Sequence, residues 1–303
     1  MNKVVLAVDL GGTNLRMAAV RDNGEILHLA KTPTPREFSP DLLMQLFGDL
    51  ADECRAAIGP DRPIAAIGAG VPANVNTDGI LRNLPNLPLL DGMHLKTDLT
   101  AKFNLPAVVE NDATAAAIGE NWLGASRDVN DSILITLGTG VGGGIIINNE
   151  PLRGIDGTAG KIGHMCVEPD GVPCGCGSHG CIEQYASATA MVRMAREAGL
   201  DVKSSHEVYN ASMDGDERAR AVFLKMGTYL GITVGSLLNA LNPEMVVIGG
   251  GAAAGWDAFS EHLKSETRRR AFSEPADRAV IVRSELGDNA GILGSARSAF
   301  LNV

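Results

Sequence analysis

The sequence predicts an α/β protein made of two halves of like design, and two observations support this fold class. A pattern of apolar strand, glycine-rich turn and second strand occurs at residues 4–20 and again at residues 133–147. Each repeat is followed by segments that alternate between strand-like and helix-like patterns, which favours mixed sheets packed against helices. Neither turn carries a bulky side chain, as is typical where a backbone approaches another group closely.

The second turn formally matches the dinucleotide-binding pattern G-x-G-x-x-G at residues 138–143. Such a site requires a helix after the glycines, whereas residues 145–147 are three isoleucines that predict a strand. We therefore expect backbone amides and the hydroxyl groups of Thr13 and Thr139 to hold phosphates. Two facing tips would bracket a polyphosphate, so the duplication predicts an ATPase fold with a cleft between two lobes.

In the first half, leucines at helical spacing predict a helix over residues 40–58, and an alanine-rich segment predicts another over 113–123. Short apolar runs predict strands at 64–68 and 106–110. Prolines exclude a helix from residues 83–88, which we interpret as an extended loop.

The second half continues the alternation of strands and helices. Its predicted elements are helices over 187–198, 216–241 and 290–300 and strands over 245–248 and 280–282. We expect a small N-terminal lobe of residues 1–115, with the C-terminal helix of about 290–303 packing back on it. Residues 116–289 are predicted to form a large lobe that contains a cysteine-rich loop.

Composition excludes several classes of partner. The 303 residues are 45% hydrophobic and carry a formal net charge of −10, with one basic cluster at residues 268–270. Nucleic-acid binding needs a phosphate-neutralising surface, so we expect no such partner. We find neither a targeting segment nor an uninterrupted apolar run of membrane-spanning length, and we expect a cytoplasmic protein without a membrane partner.

Three of the five cysteines crowd into residues 174–181, shortly after a histidine. In a cytosolic chain this crowding indicates metal ligation rather than disulfides. Three thiolates and one imidazole would complete a closed, structural zinc shell. The alternative is a loop with unmetallated thiols, because C-x-C is shorter than the usual zinc spacing. The candidate ligands are His164, Cys174, Cys176 and Cys181, whereas Cys54 and Cys166 are interpreted as small core residues.

Two aspartates are candidates for phosphoryl-transfer chemistry. Asp112 stands where a predicted strand ends and a helix begins, so it is either a helix N-cap or a base that accepts a substrate hydroxyl proton, and the two roles are compatible. Asp9 ends the first strand and is the candidate to hold Mg²⁺ through water. Its alternative is a turn-forming residue ahead of two glycines.

These residues resemble the ROK family of sugar kinases and repressors, and most of all its bacterial glucokinases. The likeness covers essentially the whole chain and is most specific in the histidine and cysteine motifs. The matching motifs are residues 9–14 (DLGGTN), 110–113 (ENDA), 137–144 (LGTGVGGG), 163–165 (GHM), 174–183 (CGCGSHGCIE) and 287–294 (GDNAGILG). The resemblance implies an actin-like, ribonuclease H-like two-lobed ATPase fold, usually dimeric. It implies transfer of the ATP γ-phosphoryl group to the 6-hydroxyl of a hexose, here glucose.

Carried over to this sequence, the resemblance makes Asp112 the catalytic base and Asn111 a sugar contact. It implies that His164 ligates zinc through one ring nitrogen and offers the other to the sugar. Glu183 would accept hydrogen bonds from sugar hydroxyls, and Asn86 is either a sugar contact or a turn residue. The residues implied to bind ATP are Asp9 through magnesium, Gly11, Gly12, Thr13, Asn14, Thr139 and Gly140 at the phosphates, and Gly250 and Gly251 near the adenosine.

The chain departs from the family pattern at Lys161, where the family usually has a glutamate that accepts hydrogen bonds from sugar hydroxyls. Lysine only donates, so we hypothesise that Lys161 changes sugar choice or affinity. The alternatives to glucose are fructose, mannose or an N-acetylhexosamine. A sugar-sensing repressor of the same family is a further alternative, less favoured because the sequence lacks a basic module.

Overall fold

A computed structural model describes residues 3–35, 39–84 and 87–303. Contacts between residues divide the chain into two compact units. Unit 1 comprises Met1–Arg127, Glu150–Gly160 and Asp288–Val303, and unit 2 comprises Asp128–Asn149 and Lys161–Gly287. The structure therefore differs from the predicted division, because residues 116–127 and 150–160 also belong to unit 1.

The strands and helices agree closely with the predicted ones where a sequence signal was strong. The strands are β1 (Val4–Leu10), β2 (Asn14–Arg21), β3 (Ile26–Pro33), β4 (Ile64–Val71), β5 (Asn74–Val75), β6 (Leu81–Arg82), β7 (Ala107–Asn111), β8 (Ser132–Leu137), β9 (Val141–Ile147), β10 (Glu150–Pro151), β11 (Met245–Gly249) and β12 (Val280–Arg283). The helices are α1 (Pro40–Ile58), α2 (Leu95–Phe103), α3 (Asp112–Leu123), α4 (Glu183–Ala186), α5 (Ala188–Glu197), α6 (Ser205–Met213), α7 (Glu217–Leu241), α8 (Trp256–Arg268), α9 (Ser273–Arg278) and α10 (Ala290–Phe300). Short 3₁₀ turns lie at Pro88–Leu90, Ile162–His164, Gly251–Gly255 and Gly287–Asn289.

The two units repeat one sheet topology. In unit 1 the strands run in the order β3-β2-β1-β4-β7, with β1, β2 and β3 antiparallel and β1, β4 and β7 parallel. In unit 2 the strands β9-β8-β11-β12 repeat the order and directions of β2-β1-β4-β7, with one antiparallel hairpin followed by two parallel pairings. The duplication that the repeated hairpin predicted is therefore present in the topology.

This topology brings the predicted site residues of unit 1 to one edge of its sheet. Parallel strands end at the same edge, and ligands of open α/β sheets bind outside the carboxyl ends of the strands. Asp9 pairs with Gly70 on β4, and Asn111 pairs with Val71 on the same strand. The ends of β1 and β7 therefore place Asp9 and the Asn111–Asp112 junction at a common edge.

Helix α10 belongs to unit 1 because it packs on α3 through glycines. A Cβ added at Gly294 would lie 1.6 Å from the carbonyl oxygen of Ala115, and one at Gly119 would lie 2.3 Å from that of Ala290. Two helices can approach this closely only where side chains are missing. The close contact keeps the whole of α3 in unit 1, on the N-terminal side of the division.

One prediction on local structure needs correction. Residues 83–88 were expected to form an extended loop, but Pro88 begins a 3₁₀ turn, which suits a proline at a first helical position. Among the described residues, helix α7 is long and apolar enough to cross a membrane, yet 61% of its most apolar 18-residue stretch is buried inside the protein. Core helices share this length and composition, so α7 is weak evidence for a membrane span.

Candidate active site

The tip of the first hairpin joins β1 to β2 and leaves room for a ligand. The N–H of Gly11 donates to the carbonyl of Asn14 at 2.9 Å, and the hydroxyl of Thr34 donates to the Gly11 carbonyl at 2.7 Å. Gly12, Thr13 and Asn14 are exposed. A Cβ added at Gly12 would meet no atom of the described residues within 4 Å. The packing of the chain does not require a glycine here, whereas a phosphate approaching the backbone would.

Asp9 is held by Arg16 on the neighbouring strand. The two residues face each other across the hairpin, and Oδ2 of Asp9 accepts from Nη2 of Arg16 at 2.5 Å and from Nε at 3.1 Å. Nη2 also donates to the carbonyl of Asp288 at 2.6 Å. A Cβ added at Gly291 would lie 3.0 Å from Oδ1 of Asp9. Arg16 therefore occupies Oδ2 of Asp9 and leaves Oδ1 as the oxygen that can accept from a further ligand.

The N-cap of α3 is Asn111 rather than Asp112, because the helix begins one residue earlier than predicted. Oδ1 of Asn111 accepts from the N–H groups of Ala113 at 3.2 Å and of Thr114 at 3.3 Å. Its amide donates to the carbonyl of Ala73 at 3.1 Å and to Oδ1 of Asp112 at 2.9 Å. Both amide hydrogens are thereby used, so Asn111 orients the strand-to-helix junction.

The carboxylate of Asp112 is oriented by two donors. Besides the Asn111 amide, the N–H of Ala113 donates to Oδ1 of Asp112 at 2.8 Å. A base for proton transfer must be held within hydrogen-bond reach of the hydroxyl that it deprotonates. The junction provides such a fixed carboxylate at the edge of the sheet.

The tip of the second hairpin is also closed by a backbone hydrogen bond, over three residues instead of four. The N–H of Gly138 donates to the carbonyl of Gly140 at 2.9 Å. Thr139 between them is exposed, and its carbonyl accepts from the hydroxyl of Thr189 at 2.8 Å. Beside this tip lies a cavity of about 580 Å³ that is lined by Thr139, Thr189, Arg193, Arg196, Lys203 and Ser205, among others.

Some glycines of this hairpin are needed by the protein itself. A Cβ added at Gly143 would lie 2.6 Å from the side chain of Ile162, and one at Gly163 would lie 1.9 Å from the carbonyl oxygen of Val141. The 3₁₀ turn that carries His164 therefore packs directly on β9. The sequence interpretation attributed the glycines to an approaching ligand, whereas part of the run serves packing within unit 2.

The glycine turn after β11 also makes a close backbone approach. Gly250 has φ +83°, and a Cβ there would lie 2.6 Å from backbone atoms of Leu137 at the end of β8. Gly251 has no described atom within 4 Å of a Cβ position, and it lines a small cavity with His206 and Tyr209. Gly250 is thus explained by packing, and Gly251 borders open space.

Lys161 and His164 lie on one turn. The carbonyl of Lys161 accepts from the N–H of His164 at 3.0 Å, and the Lys161 residue is half-buried. Glu183 lies near this turn, because the N–H of the preceding Ile182 donates to the carbonyl of Met165 at 2.9 Å. Oε2 of Glu183 accepts from the N–H of Val141 at 3.0 Å. Asn86, the remaining sugar candidate, lies outside the described residues.

The four predicted metal ligands converge. One ligand atom from each of His164, Cys174, Cys176 and Cys181 lies within 4.8 Å of all the others. Nδ1 of His164 is 3.7 Å from the sulfur of Cys174, and the sulfurs of Cys176 and Cys181 are 3.6 Å apart. Ligands of a tetrahedral zinc, with bonds of about 2.0–2.3 Å, lie about 3.5–3.8 Å apart. The donor set and its spacing therefore fit zinc, and Nδ1 is the ring nitrogen of His164 that faces the sulfur of Cys174.

The thiols of this cluster differ in environment. A backbone hydrogen bond from Ser178 lowers the pKa of Cys176, whereas burial raises the pKa of Cys181 to about 12. Metal ligation requires both as thiolates. Of the two cysteines outside the cluster, Cys54 is buried as predicted, but Cys166 is exposed, so its interpretation as a core residue is wrong.

Sequence reasoning missed two residues that support the site. Arg16 could have been found by pairing the strands across the first glycine turn, which places it opposite Asp9. Gly291 carries no such signal, because its contact with Asp9 joins distant parts of the chain.

A duplicated sheet with two glycine-tipped hairpins and an oriented carboxylate at a sheet edge defines the class of actin-like phosphotransferases. A family model described as ROK family matches residues 5–300. The chain belongs to the ROK family, and the actin-like α/β fold class that the sequence predicted is confirmed.

Individual proteins agree with this assignment. The chain is 36% identical over 306 residues to a glucokinase of Halalkalibacterium halodurans, covering 95% of this chain and 92% of that one. It is similar to the crystal structure of a ROK family glucokinase from Streptomyces griseus in complex with glucose and AMPPNP, with a TM-score of 0.84, 32% identity and coverage of 98% and 99%. It is also 31% identical over 306 residues to a putative xylose repressor of a Caldicellulosiruptor species, covering 96% of this chain and 76% of the repressor. Taken together, the similarities support a ROK sugar kinase.

Proposed function

We propose that the chain is a glucokinase that transfers the γ-phosphoryl group of ATP to the 6-hydroxyl of glucose. The observation that carries this proposal is the carboxylate of Asp112, held by two donors at the start of α3 in a chain of a family that includes sugar kinases. Phosphoryl transfer is mainly a matter of positioning, and it needs a group to accept the hydroxyl proton. The glucokinase relatives support glucose as the acceptor.

In this reaction the 6-oxygen of glucose forms a bond to the γ-phosphorus while its proton passes to Asp112. The bond between the γ-phosphorus and the bridging oxygen breaks, which leaves ADP and glucose 6-phosphate. Asp9 would hold magnesium through water, and the ion supplies neutralisation of phosphate charge when bound. The residues assigned to the nucleotide are Gly11, Gly12, Thr13, Asn14, Thr139 and Gly140 at the phosphates and Gly250 and Gly251 at the adenosine.

The sugar would be bound by Glu183 and His164, with Lys161 and Asn86 as further contacts. Asn111 would contact the sugar by exchanging its amide bond to Ala73 or Asp112 for one to a hydroxyl. Zinc at the His164 and cysteine cluster would be structural, and when bound it fixes the ring of His164. Nδ1 of His164 faces the metal position, so Nε2 is assigned to the sugar. We further propose a homodimer in the cytoplasm, without nucleic-acid or membrane partners.

The test is a coupled ADP assay with ATP and a panel of glucose, mannose, fructose and N-acetylglucosamine. We expect the highest kcat/KM for glucose. A higher value for another hexose would transfer the proposal to that sugar. A gel-shift assay with fragments of the source genome, run beside it, tests the repressor alternative, which would require a DNA shift without sugar-dependent ADP release.

Lys161→Glu is expected to change the ratio of kcat/KM among these sugars by about tenfold or more, the worth of one charged hydrogen bond to a hydroxyl. The substitution restores an acceptor where the family usually has one. Lys3→Glu makes the same charge change at an exposed position and should leave the ratios unchanged. Identical selectivity profiles for Lys161→Glu and the parent protein would end this hypothesis.

A further inference from the structure

Glu183 contacts the tip of the second hairpin directly. Its Oε2 accepts from the N–H of Val141 at 3.0 Å, at the residue that follows Gly140. A Cβ added at Gly140 would lie 2.3 Å from the same Oε2 and 3.2 Å from the carboxylate carbon. The carboxylate therefore occupies the space that a side chain at position 140 would need.

The backbone just before Glu183 is held by contacts of its own. Cys181 of the metal cluster lies two residues before it, and the N–H of the buried Ile182 donates to the carbonyl of Met165 at 2.9 Å. The carboxylate of Glu183 therefore connects the hydrogen-bonded backbone at Ile182 to the hairpin tip at Gly140 and Val141. Among the described residues, Oε1 of Glu183 has no hydrogen-bond partner.

We propose that Glu183 is a positioning residue that couples sugar binding to nucleotide binding. This inference rests on the proposed function, in which Glu183 accepts sugar hydroxyls and Thr139 and Gly140 hold phosphates. A sugar bound to Oε1 fixes the carboxylate, and the fixed Oε2 holds the Val141 N–H and with it the hairpin tip. The first ligand orders a contact that the second ligand also needs, so each ligand tightens the binding of the other, and by the same factor.

The coupling is measured by titrating AMPPNP into the full chain with and without saturating glucose, and glucose with and without AMPPNP. In the parent protein, saturating glucose should lower the Kd of AMPPNP by about fivefold or more, which is the lower end of typical coupling between two sites. Glu183→Ala should bring this factor close to one. If Glu183 were only a sugar ligand, the variant would weaken glucose but leave the factor unchanged once glucose is saturating.

The hairpin itself offers a second variant and a matched control. Gly140→Ala pushes Oε2 away and should weaken glucose binding in the absence of any nucleotide, although position 140 is not assigned to the sugar. Gly138→Ala adds the same methyl group to the same tip, but its nearest contact would be 4.0 Å away, so glucose binding without nucleotide should stay at the parent level. Equal glucose affinities for the two variants would overturn the inference.

Glu183→Gln covers the case in which Glu183→Ala fails to fold, since its carbonyl can still accept from Val141. We expect Glu183→Gln to weaken glucose binding but to keep a coupling factor above one. Where Glu183→Ala folds, the factor of Glu183→Gln should also exceed that of Glu183→Ala. Parent protein that binds neither glucose nor AMPPNP would overturn the proposed function together with this inference. Parent protein that binds both without coupling would overturn the inference alone.

Discussion

Asp112→Asn is expected to lower kcat for glucose phosphorylation by about 10²–10⁴-fold, the usual contribution of a general base. The substitution is chemically narrow, because an asparagine oxygen can still accept from Ala113 and from the Asn111 amide while it no longer takes up a proton. The binding of glucose and AMPPNP should change little. The measurement is single-turnover ADP formation beside equilibrium titration of both ligands.

A matched control for this variant is Asp41→Asn, which makes the same change in the first turn of α1 at an exposed position. It should cost at most about 1 kcal/mol of helix stabilisation and leave kcat unchanged. Turnover by Asp112→Asn within tenfold of the parent would remove Asp112 as the base. The proposed mechanism would then have no proton acceptor.

Cys176→Ser is expected to cause the largest loss of stability, because it removes one of four ligands of the proposed zinc. Structural zinc contributes about 10–16 kcal/mol in zinc-finger peptides. A loss of only about 3 kcal/mol would lower the Tm of a unit of this size by about 6–12 °C. Calorimetry with metal analysis measures both effects, and activity should fall as well because His164 loses its orientation.

Cys166→Ser is the control for this variant, since Cys166 is an exposed cysteine outside the cluster. It should keep the metal content and change stability by no more than about 0.5 kcal/mol. Treatment of the parent with a strong chelator should reproduce the defect, and added Zn²⁺ should reverse it. Metal binding displaces thiol protons, so retention of the metal should improve as pH rises. Full activity in demonstrably metal-free protein would contradict a role for zinc.

Secondary-structure elements with capping residues at both ends could be predicted with their exact first and last residues. Helix α1 spans the predicted residues because the hydroxyl of Ser39 accepts from the N–H of Leu42 at 3.2 Å, Pro40 starts the helix and Gly59 ends it. Helix α2 was missed because it has no side-chain cap and buries only Leu95 and Leu99. Its formation depends on packing against β7, which local sequence does not encode.

The candidate site shows the same division. The cysteine cluster and the Asn111–Asp112 junction were predictable, because their ligands and caps lie close together in sequence. Arg16, the partner of Asp9, could be found from the register of the first hairpin. The contacts of Asp9 with Gly291 and of Glu183 with Val141 could not, because they depend on the placement of separate segments. The start of α3 was predictable only to within one residue. Asp112 was the predicted N-cap candidate, whereas the structure has Asn111 as the N-cap and begins the helix at Asp112.

The sequence by itself determined the duplicated α/β architecture, the cluster of one histidine and three cysteines, and the carboxylate at the head of α3. Periodicity, capping chemistry and ligand spacing act over a few residues and are therefore written in local sequence. Only the tertiary structure decided which glycines serve packing, as at Gly119, Gly163 and Gly294, and which border open space, as at Gly12 and Gly251. The physical reason is that a missing side chain has the same local signature in both cases, and only the atom brought next to it from elsewhere in the chain distinguishes them.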